Sequence, residues 1–233
     1  MRLSFFLFRG FIYFNFELNS KVDKFGKYQK FPQIDMADED GLLAIGGELS
    51  VERLIDAYNQ GIFPWYDASQ PVLWWSPDPR MVLFPEKLRV SKSMKKLFRD
   101  KTFEVTFNTD FKSVIENCAN IWREGQDGTW ITEEIQKAYL DLHRLGIAHS
   151  VEVWDGKKLV GGLYGIYLED KKVFCGESMF ATASNASKYG FIKLIEKLRA
   201  QGVKLIDCQI YTPHLESLGA EEISRKEFLE FLR

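Results

Sequence analysis

Apolar residues change their spacing along the chain, and the changes mark out its elements. Behind Ser50, an N-cap residue, Leu54, Ile55 and Tyr58 recur at helical spacing until Gly61 ends the run. The segment SKSMKKLFRD (91–100) repeats the pattern, with Ser91 as cap and Met94, Leu97 and Phe98 on one face. A strand is expected near Phe103–Phe107 and a helix near Asp110–Trp122. Thr132 caps a further helix whose first turn carries Glu133 and Glu134, favourable to its dipole, and Gly146 lies past its end. The period then shortens to two. SVEVW, KLVGGLYGIYL and KVFCGESMF are β-rich runs separated by Asp155-Gly156 and Glu169-Asp170, which predicts an antiparallel meander. A helix over 185–200, a strand KLIDCQI, and a last helix opened by a Ser224/Glu227 capping box complete the pattern. The sum is an α+β fold with one mostly antiparallel sheet flanked by helices.

Two stretches do not fit this alternation. GLLAIGGEL (41–49) reads as a glycine-rich turn. GIFPWYDASQPVLWWSPDPR (61–80) holds three tryptophans and four prolines. Proline fixes φ and removes a backbone donor, so this segment is read as a stiff loop, not a long helix or a central strand. Such a loop either fills a gap between packed layers or offers Trp65, Trp74 and Trp75 as a stacking surface for a flat ligand such as a base. Composition changes around Pro77–Pro85, which places a boundary between a small N-terminal domain (1–78) and a larger domain (79–233).

The chain has 233 residues, ample for a core, and its 45% hydrophobic and 27% charged content is that of a globular protein. Net charge is −2, so any nucleic-acid contact must come from a local patch. Residues 85–101 supply one, with seven basic and two acidic side chains. Cys118, Cys175 and Cys208 are scattered, as are the three histidines. This excludes a recognisable zinc site and suits a reducing, cytoplasmic compartment. The Phe-rich start (1–18) is split by Arg9-Gly10 and has no small-x-small cleavage site. It is read as an N-terminal strand or an irregular extension, neither a signal peptide nor a membrane span.

Three constellations carry candidate chemistry. In Asp207-Cys208-Gln209, at the end of an apolar strand, positions i and i+2 share a face, so carboxylate and amide are expected to point at one site. The alternative is a polar strand end bonded to neighbouring backbone. Glu177 interrupts the apolar run CGESMF, so it is either solvent-facing on an edge or functional. Trp130, in GTWIT, stands at a loop-to-helix junction where a packing role is the simpler reading.

Taken together, the blocks resemble the bacterial leucyl/phenylalanyl-tRNA–protein transferase family. The matching segments are DGLLAIGGELS (40–50), GIFPWY (61–66), LWWSPDPR (73–80), SKSMKK (91–96), GTWIT (128–132), HSVEVW (149–154), CGESMF (175–180), NASK (185–188), LIDCQ (205–209) and SLGA (217–220). They run in register from about Phe31 to the C-terminus, leaving residues 1–30 without a counterpart. The resemblance implies a GNAT-like C-terminal domain and no cofactor or metal. It implies transfer of Leu, Phe or Met from Leu-tRNA, Phe-tRNA or a like donor to proteins beginning with Arg or Lys, which marks them for N-degron degradation. It places Asp207 and Gln209 at the catalytic position, Glu177 in the active site as an anchor for the terminal adenosine or the acceptor amine, and Trp65 and Trp130 beside the terminal adenosine. Leu163, Phe174, Met179, Phe191 and Ile206 are placed around the aminoacyl side chain, and Lys92, Lys95, Lys96 and Arg99 along the tRNA acceptor stem. On this likeness Trp74 and Trp75 are expected to pack the junction between domains. No membrane partner is implied, and a monomer is expected.

Two residues depart from the family pattern. Asp100 stands where a further basic residue is expected, and Thr212 where an Asn is expected near the acceptor site. Two other readings compete. One is an acyl-CoA N-acetyltransferase of the same superfold, disfavoured because ATASNASK lacks the glycines that cradle a pyrophosphate at a helix N-terminus. The other is a non-catalytic RNA-binding module, for which the Asp207–Gln209 pair is unnecessary.

Overall fold

The structure, a computed structural model, describes residues 24–25, 30–121 and 129–233. A small sheet is built from β1 (Lys24–Phe25), β2 (Leu42–Gly46), β3 (Phe63–Pro64) and β4 (Leu73–Trp75), in the order β1-β2-β4-β3. Helix α1 (Val51–Asn59) connects β2 to β3, and its Ser50 cap accepts from the Arg53 N–H at 3.2 Å. The larger sheet has β5 (Arg80–Leu83), β6 (Glu104–Phe107), β7 (Ala148–Asp155), β8 (Lys158–Leu168), β9 (Val173–Ala181), β10 (Leu205–Gln209) and β11 (Glu221–Ile223). Its order is β11-β5-β10-β9-β8-β7-β6. All neighbours are antiparallel except β9 and β10, which α5 (Ala186–Ala200) joins as a crossover. The remaining helices are α2 (Lys92–Arg99), α3 (Phe111–Asn120), α4 (Glu133–Arg144), α6 (Pro213–Ser217) and α7 (Arg225–Glu230).

The large sheet is a filled layer between two apolar clusters. On one face Phe191, Ile192, Ile195 and Leu198 of α5, with Met94 of α2, pack on Val151, Val153, Leu163 and Ile206. On the other, Val114 and Ile115 of α3 and Ile135 and Tyr139 of α4 pack on Tyr164, Ile166 and Phe180. This second cluster continues without a break into Leu43, Trp74 and Phe63 of the small sheet and Phe228 of α7. The fold is α+β with a mostly antiparallel sheet flanked by helices. The expected caps at Ser50, Ser91 and Thr132 and the Ser224/Glu227 box are all present, and Asp110 caps α3 in the same way.

The structure corrects two readings. GLLAIGGEL is not a turn: Leu43, Ala44 and Ile45 are buried in β2, and the turn begins only at Gly46 and Gly47, with φ of 94° and 83°. Pairing with β4 supplies the tertiary context that local glycine content concealed. The Trp/Pro segment does hold a central strand. Its prolines flank β4 instead of interrupting it, so Leu73–Trp75 keeps its donors between β2 and β3. Trp74 is fully buried, edge-on to Phe31 with centroids 5.0 Å apart, and its Nε1 donates to the Gly46 carbonyl at 2.9 Å. β5, α6 and β11 form in stretches where no element was expected. The readings of residues 1–23 and of Trp122 and Gly128 lie outside the described residues. Among the described residues, no helix is long and apolar enough to cross a membrane.

Gly165 fixes how closely β8 and β9 approach. A Cβ there would stand 2.3 Å from the Cys175 carbonyl oxygen and 2.6 Å from the Phe174 ring. Gly165→Ala should therefore destabilise the fold by about 1–3 kcal/mol through overpacking. A chemical-denaturation midpoint equal to the wild type's would contradict this packing.

Candidate active site

β9 and β10 pair over only three positions: Leu205 with Val173, Ile206 with Phe174 and Asp207 with Cys175. Beyond these the strands part. Each carries a bulge where it leaves the other. On β9, Gly176 lies opposite Gly165 and Ser178 opposite Tyr164, so Glu177 is the extra residue. On β10, Asp207 lies opposite Val82 and Gln209 opposite Met81, so Cys208 is the extra residue. A bulge re-aims the side chains beside it. In the opening between the strands lies a cavity of about 360 Å³, whose lining includes Glu177 and Gln209.

Glu177 is held from two sides. Gln209 Nε2 donates to its Oε1 at 2.8 Å, and the Tyr139 hydroxyl of α4 donates to its Oε2 at 3.0 Å. The Tyr58 hydroxyl of α1 in turn bonds that of Tyr139. Burial pushes the Glu177 carboxyl up to about 7; the tyrosine and Gln209 hydrogen bonds oppose that rise, and the Asp207 charge adds to it. Burial and the Glu177 charge raise Tyr58 and Tyr139 well above the usual phenol value, which keeps both hydroxyls as donors.

Asp207 is where the structure departs from strand alternation. The bulge and a left-handed Gln209, with φ of 64°, break the i, i+2 relation. Asp207 is fully buried and does not line the cavity. Its Oδ1 and Oδ2 accept from Arg80 Nε and Nη2, both at 2.8 Å, and Oδ1 also accepts from the Gln209 backbone N–H at 3.0 Å. Only the amide of the pair faces the cavity.

Of the residues expected around the aminoacyl group, Leu163, Met179, Phe191 and Ile206 form an apolar lobe of the cavity, and Trp65 and Trp130 form part of its wall. Phe174 does not join them. It sits on the closed, paired part of β9 and lines a separate cavity of about 320 Å³ beside Phe107 and Lys197. Met179, past the bulge, reaches the open part. Trp75 supports Trp65 from behind, its Nε1 donating to the Trp65 carbonyl at 2.7 Å. Lys92, Lys95, Lys96 and Arg99 are exposed on α2. Asp100 draws in two of them, Lys96 at 2.8 Å and Arg99 at 3.3 Å. Thr212 caps α6 and lines the cavity with His214 and Leu215. Burial, and then the charge of Lys188, lowers the His214 pKa.

Arg80, Tyr58 and Tyr139 were not singled out from the sequence as site residues. A signal existed for the tyrosines: both stand on buried helix faces, where a hydroxyl needs a polar partner. Among the described residues, no group of three or more His, Cys, Asp and Glu is placed to hold a metal ion.

An apolar lobe and an oriented amide in one cavity suit transfer of an acyl group from a ready-activated donor. Comparison with known proteins narrows the class to the aminoacyltransferases. Residues 82–233 match the family model "Leucyl/phenylalanyl-tRNA protein transferase", and residues 47–78 match the model of that family's N-terminal domain. The chain belongs to the leucyl/phenylalanyl-tRNA–protein transferase family. The protein of that name from Christiangramia forsetii is 69% identical over 204 residues, 88% of this chain and 96% of that protein. Its namesake from Flavobacterium johnsoniae is 58% identical over 87% of this chain and 95% of its own length. Among solved structures, a GCN5-related N-acetyltransferase-like protein from Streptococcus suis overlays 74% of this chain and 64% of its own at 14% identity and a TM-score of 0.37, too loose an overlay to carry an argument. The chain is thus an enzyme that moves an aminoacyl group from tRNA to protein, and the acyl-CoA and non-catalytic readings fall away.

The carboxyl near 7 has a consequence for pH. Ionised Glu177 accepts from both Gln209 and Tyr139; protonated, it competes as a donor and loosens the amide. Its folded value lies above the ordinary 4.5, so its contribution to stability is present at low pH and lost as pH rises through about 7. With Glu177 and Gln209 in the active site, as the family resemblance implies, activity is expected to run the other way. Turnover should rise along a limb with midpoint near 7, and Glu177→Gln should remove that limb, leaving only the titration of the acceptor amine. The same limb persisting in Glu177→Gln, measured at saturating substrates, would assign it elsewhere.

Proposed function

We propose that the chain transfers Leu, Phe or Met from its charged tRNA to the free α-amino group of proteins that begin with Arg or Lys, tagging them for N-degron degradation. One observation carries this reading: the apolar Leu163, Met179, Phe191 and Ile206 line the same cavity as Gln209. Such a lining accepts large unbranched or γ-branched side chains and discriminates weakly among them. Flexible Met179 helps one pocket serve more than one guest.

The chemistry is aminolysis of an ester. The amine nitrogen attacks the aminoacyl carbonyl carbon, the bond to the terminal ribose oxygen breaks, and a proton passes from the amine to that oxygen. An amide is scarcely basic, so Gln209 acts by orientation. With Nε2 committed to Glu177, its carbonyl oxygen is the acceptor that aligns the amine. Trp65 and Trp130 are assigned to stacking on the terminal adenosine, worth about 1–3 kcal/mol per base. Lys92, Lys95, Lys96 and Arg99 are assigned to the acceptor stem, a salt-sensitive, sequence-independent grip. Asp100 tempers that grip through Lys96 and Arg99.

The reading further takes residues 1–78 and 79–233 as two domains, and the protein as a cytoplasmic monomer. The division is supported by the change of sheet between β4 and β5.

The test is a transfer assay with radiolabelled Phe-tRNA and peptides that differ only in their first residue. Label should appear on peptides starting with Arg or Lys and not on one starting with Ala. Equal labelling of all three would refute the acceptor assignment.

A further inference from the structure

The structure assigns a positioning role to Arg80: its guanidinium clamps Asp207 so that Asp207 holds the Gln209 backbone, and with it the carboxamide, in the transfer geometry. The inference rests on the reading of Gln209 as the residue that orients the amine.

The clamp is visible atom by atom. Arg80 and Asp207 each keep 1% side-chain exposure, and the contact is two-pronged, Nε to Oδ1 and Nη2 to Oδ2, both at 2.8 Å. Two parallel bonds fix the carboxylate plane as one bond cannot. The fixed Oδ1 then takes a second donor, the Gln209 N–H at 3.0 Å. That bond falls where β10 has left β9, beside the bulge in its pairing with β5. It also holds Gln209 in a left-handed conformation, disfavoured for a residue with a Cβ. Turned this way, the side chain reaches Glu177 at 2.8 Å. Arg80 itself is wedged between two rings, its Cζ 4.9 Å from the Phe63 centroid and 4.6 Å from that of Phe228. Phe63 lines the cavity on the other side, so the clamp and the cavity wall share a residue. Arg80 Nη1 has no hydrogen-bond partner among the described residues.

Stability alone is a poor reason for this arrangement. A buried ion pair can often be exchanged for apolar residues of similar size without loss, whereas breaking one half of it is costly. What an apolar pair cannot supply is an acceptor at the position of Oδ1.

A double-mutant cycle separates positioning from mere folding. The apolar pair R80M/D207L is compared with Q209A and with the triple variant, each checked by thermal melting and for Phe-tRNA binding on filters. R80M/D207L should fold, bind Phe-tRNA with wild-type affinity and turn over about a hundredfold more slowly, the scale of loss that misplacement produces. The triple variant should be no slower than Q209A, because the clamp acts only through Gln209. Wild-type turnover in R80M/D207L, or a triple variant slower than Q209A by the full factor that R80M/D207L loses, overturns the inference. Should the apolar pair fail to fold, R80K keeps the charge and drops the fork. Its expected signature is reduced kcat at unchanged KM for Phe-tRNA and no further loss in the Q209A background, and a multiplied loss there overturns the inference equally. Failure of the underlying reading looks different: Q209A itself then transfers Phe at the wild-type rate, which removes the inference with it.

Discussion

β9 and β10 are hydrogen-bonded neighbours only at 173–175 and 205–207, and the site is made where they separate. Strands that stop pairing leave backbone donors and acceptors that must be met in some other way, because an unmet buried polar group is costly. Here the Asp207 carboxylate meets the Gln209 N–H. The opening also strips Glu177 of much of its water, and two partners from different elements, Tyr139 and Gln209, supply hydrogen bonds in place of it. One topological fact, a parallel pair that diverges after a crossover helix, yields both the cavity and the polar groups that face it.

The surroundings hold that wedge in shape. α5 covers one face of the sheet and gives Phe191 to the apolar lobe. α3 and α4 cover the other, and α4 supplies Tyr139. The small sheet and α1 are continuous with this second layer and contribute Tyr58, Phe63 and Trp65. Trp74, buried beneath β4, and Trp75, bonded to the Trp65 backbone, give Trp65 a rigid footing. A preformed wall suits stacking, since little ordering remains to be done when the ligand arrives.

Much of this was legible in the residues. Period-two runs with short turns identified the meander, and Ser and Thr caps located helices, because those signals are local. β2 and β4 were hidden because pairing across the chain, not local composition, makes GLLAIGGEL and LWW into strands. Glu177 and Gln209 stood out as polar groups in apolar strands, and both face the cavity. Asp207 was expected to face it too; alternation fails there because a bulge inserts Cys208, and no spacing rule announces a bulge. Arg80 was invisible, since its partner lies 127 positions away. Phe174 was placed by likeness of motif, whereas the split between the closed and open parts of β9 depends on where the strands part.

The central claim is that Gln209, and not Asp207, meets the reacting groups. A crystal structure with a non-hydrolysable phenylalanyl-adenosine amide tests it most directly. The phenyl ring should lie among Leu163, Met179, Phe191 and Ile206, with the Gln209 carboxamide at the reacting carbonyl and still bonded to Glu177, while Asp207 stays on Arg80. An Asp207 released from Arg80 and bonded to the ligand, with Gln209 turned away, would contradict it.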